Sequence, residues 1–401
     1  MALRTMDDLN LEHQRVLVRV DFNVPLDQGR ITDDTRIRAT LPTIQYLMSR
    51  QAKIVLVSHL GRPKGKIDDS LRMKPVAERL AEILGRPVHY APDIVGPEAR
   101  AVVESLEPGA IALIENVRFD PGEEANDPAF AEKLASLADC YVNDAFGTAH
   151  RAHASTVGVA KLLPSAAGLL MQAEVSALTQ VLDHAEHPYV LILGGAKVSD
   201  KVGVIEHLLE RVDTILIGGG MANTFLAAEG ANVQQSLLEP DKLDVARETL
   251  RRAGELHTNI RLPVDVVVAG KLSDDAEPQT VTPEGIPAGT AIYDIGPKTI
   301  SAFAEVISVA RTVVWNGPMG VFEVGPFAAG TREVAEAVAA CRGYTLIGGG
   351  DSVAAVEQLG VADQISHIST GGGASLEFLE GKVLPGVAAL SDGDERMRGY
   401  A

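Results

Sequence analysis

Short apolar, β-branched runs alternate along this chain with stretches whose apolar positions recur at helical spacing. The runs are continuous rather than alternating, which predicts strands buried on both faces, and the helical stretches between them predict parallel pairing through crossover helices. Strands are expected at 15–20, 53–57, 110–114, 141–142, 189–193, 214–217, 264–268, 312–315, 344–347 and 365–368. Helices fill the gaps, as at 74–84, which stops at Gly85, and at 331–341, which ends near Gly343. The segment 162–184 is nearly free of turn residues, with Gly168 its one weak point, and predicts a long connecting helix. His187 and Pro188 end it, so the boundary between two α/β halves is expected near residue 186.

In open parallel sheets ligands bind just beyond the carboxyl ends of the strands, and there the two halves differ. In the first, the strands run into Asp21-Phe22-Asn23, Ser58-His59-Leu60-Gly61-Arg62, Glu115 to Phe119 and Asn143 to Arg151, which are cationic and hydrogen-bonding sequences. In the second, they run into Gly194-Gly195-Ala196-Lys197, Gly218-Gly219-Gly220, Asn316-Gly317-Pro318, Gly348-Gly349-Gly350-Asp351 and Gly371-Gly372-Gly373, which are rich in glycine.

Length supports the division, because single hydrophobic cores stop growing near about 250–300 residues and this chain has 401. Its 46% hydrophobic residues and 38 glycines describe a globular chain with many tight turns. A net charge of -18 argues against nucleic acid as a partner, so an anionic ligand must meet locally gathered Arg and Lys. Cys140 and Cys341 are far apart, which suggests a reducing compartment rather than a disulfide framework. The first residues read as neither signal peptide nor anchor, and no apolar run reaches the roughly 18 residues of a membrane helix. A cytoplasmic chain with no membrane partner is expected.

Arg36, His59, Arg62, Arg118 and Arg151 come from separate segments of the first half, four of them at strand ends on one rim. Arginine forks match carboxylate and phosphate oxygens, so their convergence suits a small polyanion, although each alone reads equally as a solvated surface cation. His59 suits ligand hydrogen bonding better than proton transfer. Asp21 and Asn23 are either turn chemistry or partners for a substrate hydroxyl. In the second half, glycines after strands let backbone N–H groups approach phosphates. Lys197 and Lys201, four residues apart at a helix start, share one face toward phosphate oxygens or toward solvent. Asp351 is a helix cap or a magnesium contact. There is no G-x-x-x-x-G-K-[ST] loop and no obvious general base, which fits phosphoryl transfer between an acyl phosphate and a carboxylate.

The stretch Arg19-Val20-Asp21-Phe22-Asn23-Val24-Pro25 resembles the signature of the phosphoglycerate kinase family, and the resemblance runs essentially end to end. It includes SHLGRP at 58–63, ENVRF at 115–119, NDAFGTAHRAH at 143–153, LGGAKVSDK at 193–201, VWNGPMGVFE at 314–323, IGGGDS at 347–352 and STGGGASLEFLEGKVLPGV at 369–387. It implies transfer between 1,3-bisphosphoglycerate with ADP and 3-phosphoglycerate with ATP and Mg2+, by a monomer. The implied fold is two doubly wound, Rossmann-like lobes, 1–170 and 187–385, joined by a hinge helix at 171–186, with the tail 386–401 returning to the first. By the same resemblance Asp21, Phe22, Asn23, Arg36, His59, Leu60, Gly61, Arg62, Arg118 and Arg151 hold phosphoglycerate. Lys197, Lys201, Gly218, Gly219, Asn316, Glu323, Gly349, Gly350, Asp351 and Ser352 stand on the nucleotide side. Gly371, Gly372 and Gly373 stand near the transferring phosphate, with Arg36, Lys197 and Lys201 as catalytic cations and Asp351 toward the metal. Ser352 departs from the threonine of many relatives, and Val324-Gly325-Pro326 after Glu323 is atypical, which bears on ribose contacts. The rival readings are a dinucleotide-dependent dehydrogenase, which lacks a clean G-x-G-x-x-G, and a non-catalytic binding protein on the same fold.

Overall fold

The computed structural model describes residues 3–391. Described residues up to Val175, with those from Val383 onward, form one compact unit, and Ser176–Lys382 form another. The first unit holds a six-stranded parallel sheet in the order His89–Tyr90, Ile111–Leu113, Lys53–Val57, Arg15–Arg19, Cys140–Asn143, Ser165–Ala167. The second holds another, in the order Asn259–Arg261, Thr214–Ile217, Tyr189–Leu193, Thr312–Asn316, Tyr344–Gly348, His367–Ile368. This is the two-sheet α/β architecture expected from the alternation of apolar runs and helical stretches.

Both faces of each sheet are covered, which is why the strands read as unbroken apolar runs. Val16, Val18, Ile54 and Leu56 pack with Ile37, Ile44 and Leu47 of helix Thr35–Ser49 and with Val76 and Leu80 of helix Lys74–Leu84. That second helix has the bounds its apolar spacing predicts and ends on Gly85 in the left-handed conformation, φ 63°. In the second unit Ile192, Val313, Trp315 and Ile347 pack with Phe303, Ile307, Val334 and Val338 from helices Pro297–Ser308 and Ala329–Ala340.

Two expectations are corrected. The run at 264–268 is not a strand of the parallel sheet: Val266–Ala269 is the centre of a separate antiparallel sheet between Gln279–Val281 and Ala291–Ile295. No α-helix lies between Ala269 and Ala291, only a single 3-10 turn at Pro283–Gly285, and without a crossover helix consecutive strands pair antiparallel. Asn259–Arg261 takes the edge of the parallel sheet instead. The helix expected at 162–184 begins only at Leu169 and runs to Asp183. Pro164 disfavours helix before it, and Ser165–Ala167 pairs as an edge strand with Cys140–Asn143. Gly168, the weak point, is the strand-to-helix corner, where a Cβ would lie 2.2 Å from Asp144 Oδ1.

Of the tail expected to return to the first lobe, 386–391 belong to the first unit, where Gly386 N–H donates to Ala149 O at 2.8 Å and Arg4 N–H to Leu390 O at 3.0 Å. Residues 392–401 lie outside the described residues.

Candidate active site

In the first unit, strands Arg15–Arg19 and Cys140–Asn143 are neighbours whose chains continue to opposite sides of the sheet. The crevice at such a reversal is where doubly wound folds bind ligands. Asp21 follows the first of these strands. One of its oxygens pairs with Arg36 Nη1, while Oδ1 is buried without a hydrogen-bond partner, 3.9 Å from His59 Nδ1. Asn23 Oδ1 accepts from Gly61 N–H at 2.8 Å, and Arg118 Nη1 donates to Gly61 O at 2.8 Å, so three strand-end segments are tied through one glycine. Gly61 has φ 62° and a Cβ there would approach Leu71 to 2.7 Å, which is why the position takes glycine.

The electrostatics of this rim are set by burial. His59 is 4% exposed, and burial, reinforced by Arg19, Arg118, Arg36 and His153, holds its imidazole neutral with a pKa well below the usual value. Arg19 Nη2 lies 3.1 Å from His59 Nδ1. A guanidinium only donates, so Nδ1 accepts and the ring proton sits on Nε2. Burial also draws the Arg118 pKa down. Arg151 is half-buried and donates from Nε to His150 Nε2 at 3.2 Å. Arg62 is exposed and, among the described residues, makes no ion pair or hydrogen bond on this rim. Phe22 and Leu60 are core side chains, and their N–H groups go to Ser58 Oγ at 2.9 Å and Asn116 Oδ1 at 3.2 Å.

In the second unit the reversal falls between Tyr189–Leu193 and Thr312–Asn316. Lys201 Nζ donates across it to Asn316 Oδ1, while Asn316 Nδ2 is buried with no partner. Burial lowers the Lys201 pKa, and Asp200, Asp351 and Glu380 oppose that shift. Ser352 is buried, its hydroxyl accepting from Gly317 N–H at 2.7 Å, so it braces two strand-end loops. A cavity of about 350 Å³ is lined by Gly195, Gly219, Pro318, Met319, Glu323 and Asp351 among others. Lys197 is exposed. Gly349, with φ 90°, precedes helix Gly350–Gln358, and Gly371 and Gly372 precede helix Gly373–Leu379.

The glycine clusters do not all offer N–H groups to a ligand as expected. Gly194, Gly195 and Gly219 donate to Asn316 O, Pro318 O and Met319 O at 3.0, 2.9 and 2.9 Å. These glycines permit close packing instead: a Cβ on Gly194 would lie 2.1 Å from Pro318 O, and one on Gly218 would lie 2.5 Å from Met319 Sδ.

The family model described as phosphoglycerate kinase matches residues 6–382. The chain belongs to the phosphoglycerate kinase family. It is 58% identical over 390 residues to the phosphoglycerate kinase of Thermomicrobium roseum, covering 97% of this chain and all of that one. It is 59% identical over 392 residues to that of Moorella thermoacetica, covering 98% and 100%. Among solved structures it is similar to the phosphoglycerate kinase of Coxiella burnetii, with 43% identity and a TM-score of 0.89 over 97% of this chain and 99% of that one. That of Pyrococcus horikoshii gives 36% identity and a TM-score of 0.85 over 97% and 98%.

Membership gives the rim residues a common context and draws attention to what the reading of strand ends passed over. Arg19 lies inside a strand and is fully buried, with Nε donating to Ser155 Oγ at 2.8 Å beside His59. Glu123, also fully buried, accepts from that Ser155 hydroxyl at 2.6 Å, and burial raises its pKa while Arg19 opposes the rise. A charged residue at an inward position of a strand was the available signal. Among the described residues no helix is long and apolar enough to cross a membrane.

Proposed function

We propose that this phosphoglycerate kinase family member moves the acyl phosphate of 1,3-bisphosphoglycerate to ADP, giving 3-phosphoglycerate and ATP, and runs the reverse. The observation that carries this reading is Asp21. One of its oxygens is held by Arg36, and the other is buried, unpartnered and beside neutral His59. That oxygen is an acceptor for a substrate hydroxyl, His59 Nε2–H is a donor, and Arg36 and Arg118 supply the charge a small polyanion needs. The reaction needs no general base, because the acceptor is already a phosphate or carboxylate oxygen. Catalysis then rests on positioning and on cations at the migrating group, the roles of Arg36 and Lys201.

On the nucleotide side the cavity by Gly195, Gly219 and Glu323 suits a purine nucleoside, with Lys197 and Lys201 toward its phosphates. Among the described residues no group of three or more His, Cys, Asp or Glu would hold a metal ion. This fits Mg2+ carried on the nucleotide phosphates, which it would neutralise, with Asp351 as its single carboxylate contact. Both cysteines are free and far apart in sequence, which supports a reducing, cytoplasmic setting, and the family resemblance implies a monomer.

The sugar-acid groups precede residue 152 and the nucleotide groups follow residue 193, so the two ligands bind separate lobes and transfer requires closure about the connecting segment. A coupled ATP assay with 3-phosphoglycerate should show turnover, and its absence would sink the reading. Small-angle scattering should show the smallest radius of gyration with both substrates bound, an unreactive nucleotide analogue replacing ATP. One value for free, binary and ternary states would rule closure out.

A further inference from the structure

Lys197 and Lys201 follow the glycines that end strand Tyr189–Leu193. Gly195, with φ 92°, is held by its neighbours, its N–H donating to Pro318 O and its carbonyl accepting from Met221 N–H at 2.9 Å each, whereas Ala196 and Lys197 beyond it are exposed. The first helical turn after it begins at Val198, whose carbonyl accepts from Lys201 N–H and Val202 N–H at 2.9 Å each. The N–H groups of Val198 and Ser199 therefore stand at the open end of that turn and need an acceptor from outside it.

Glu239 supplies it from forty residues downstream. Its Oε2 accepts from Val198 N–H at 2.5 Å and Ser199 N–H at 3.2 Å, and its Oε1 accepts from the Ser199 hydroxyl at 2.7 Å. The segment bearing Glu239 is itself anchored on helix Gly219–Ala228, the helix whose first residues line the cavity. Glu239 N–H donates to Thr224 Oγ1 at 3.3 Å, and Asn223 Nδ2 donates to Leu237 O at 3.1 Å. One carboxylate thus joins two strand-end loops and fixes the turn from which Lys201 reaches Asn316.

We propose that Glu239 is a positioning residue for phosphoryl transfer, holding the lysine-bearing turn so that Lys201 meets the transferring group. The inference rests on the role given to Lys201 above. Misplacing a catalytic group by about 1 Å costs about 10² in rate, so Glu239→Ala should lower kcat by about 10². The KM for 3-phosphoglycerate, whose groups lie in the other unit, should stay within about two-fold of the parent. Glu239→Gln keeps an oxygen for the two N–H groups and should recover most of the lost kcat, a rescue that separates positioning from charge.

The decisive measurement is a double-mutant cycle on the full chain, with circular dichroism melts for each variant. If Glu239 acts through Lys201, adding Glu239→Ala to Lys201→Ala should cost kcat no more than about two-fold. A further loss as large as in the parent background would overturn the proposal, as would Glu239→Ala turning over within a few-fold of the parent. A Glu239→Gln variant as slow as Glu239→Ala but with the parent's melting temperature would also overturn it, since the hydrogen-bond clamp would then not be what matters. Lys201→Ala turning over like the parent would be a different failure, that of the lysine's own role.

Discussion

The two units build their ligand rims from opposite materials on related frames. Numbered by appearance within each sheet, the first orders its six strands 3-4-2-1-5-6 and the second 3-2-1-4-5-6, the latter being the order of doubly wound dinucleotide-binding folds. In both, the best-connected site residues stand where the order reverses: Asp21 and Arg36 in the first, Lys201 and Asn316 in the second. The first rim is armed with buried side chains, the cations Arg19 and Arg118 and the neutral His59 that accepts from Arg19. The second is glycine packed on glycine, with its carbonyls and N–H groups largely spent on adjoining loops. A sugar acid with two anionic ends needs several fixed cations, whereas a nucleotide needs room for a base and a few cations at its phosphates. On the proposed reading, the shared frame sets where a ligand goes and the residues at the reversal set which kind.

If the second rim depends on so few cations, removing one should be costly. Lys201→Ala should lower kcat by about 10²–10³, the usual cost of losing a charge aimed at the migrating group. Its KM for 3-phosphoglycerate should barely move, because that ligand's groups lie in the other unit. Steady-state kinetics check both, and a variant within a few-fold of the parent would show that the lysine is not aimed at the transfer.

The first rim should be sensitive to geometry rather than to charge alone. Arg36→Lys keeps the cation but loses the planar fork, and a point charge cannot both pair with Asp21 and stay aimed at the migrating phosphate. We expect kcat to fall by about 10–10², less than for loss of the lysine. An unchanged kcat with a raised KM would reassign Arg36 to uniform substrate binding.

The legibility of the two rims in the sequence differed for the same reason. Strand ends in the first unit were readable because polar residues directly after apolar runs are a strong local signal: Asn23 and Arg118 meet at Gly61, and Asp21 Oδ1 lies 3.9 Å from His59 Nδ1. Arg19 and Glu123 were hidden because their partners are 136 and 32 residues away in sequence. In the second unit glycine reads alike whether it admits a phosphate or another loop, so the close packing of Gly194 and Gly218 was invisible until the strands were in place. The antiparallel sheet around Val266–Ala269 was missed because an apolar run carries no sign of its pairing direction, and only the lack of a following helix gives it away. The late start of helix Leu169–Asp183 was signalled by Pro164 and Gly168 together, and periodicity outweighed them.

The smallest expected effect sharpens the comparison at a place where the units look alike. Each buries an aspartate next to glycine, and burial pushes both pKa values up to about 7: Asp144, opposed by Thr43 and the N–H groups of Met171 and Leu170, and Asp294, opposed by those of Gly330 and Ile295. Both values stand above the unfolded value of about 3.9. Between about pH 4 and pH 7 the folded state therefore keeps protons that the unfolded state has lost. Stability from the protonated form is fully present below about pH 4 and is lost as pH rises through about 7. The two sites differ in how their oxygens are used. Asp144 Oδ1 takes both Leu170 and Met171 N–H, at 2.9 and 3.2 Å, and Oδ2 takes no backbone N–H, so an amide nitrogen can replace Oδ2 without setting N–H against N–H. Asp294 uses one oxygen for Ile295 N–H at 2.9 Å and the other for Gly330 N–H at 2.7 Å, so its amide would set N–H against N–H. Relative to the parent, Asp144→Asn should gain stability between pH 5 and pH 8 by on the order of 2 kcal/mol. Asp294→Asn should be less stable than the parent at pH 5, since a buried donor is left without an acceptor. Urea unfolding at the two pH values measures all of this, and an Asp144→Asn profile running parallel to the parent's would show that Asp144 is not the group that titrates.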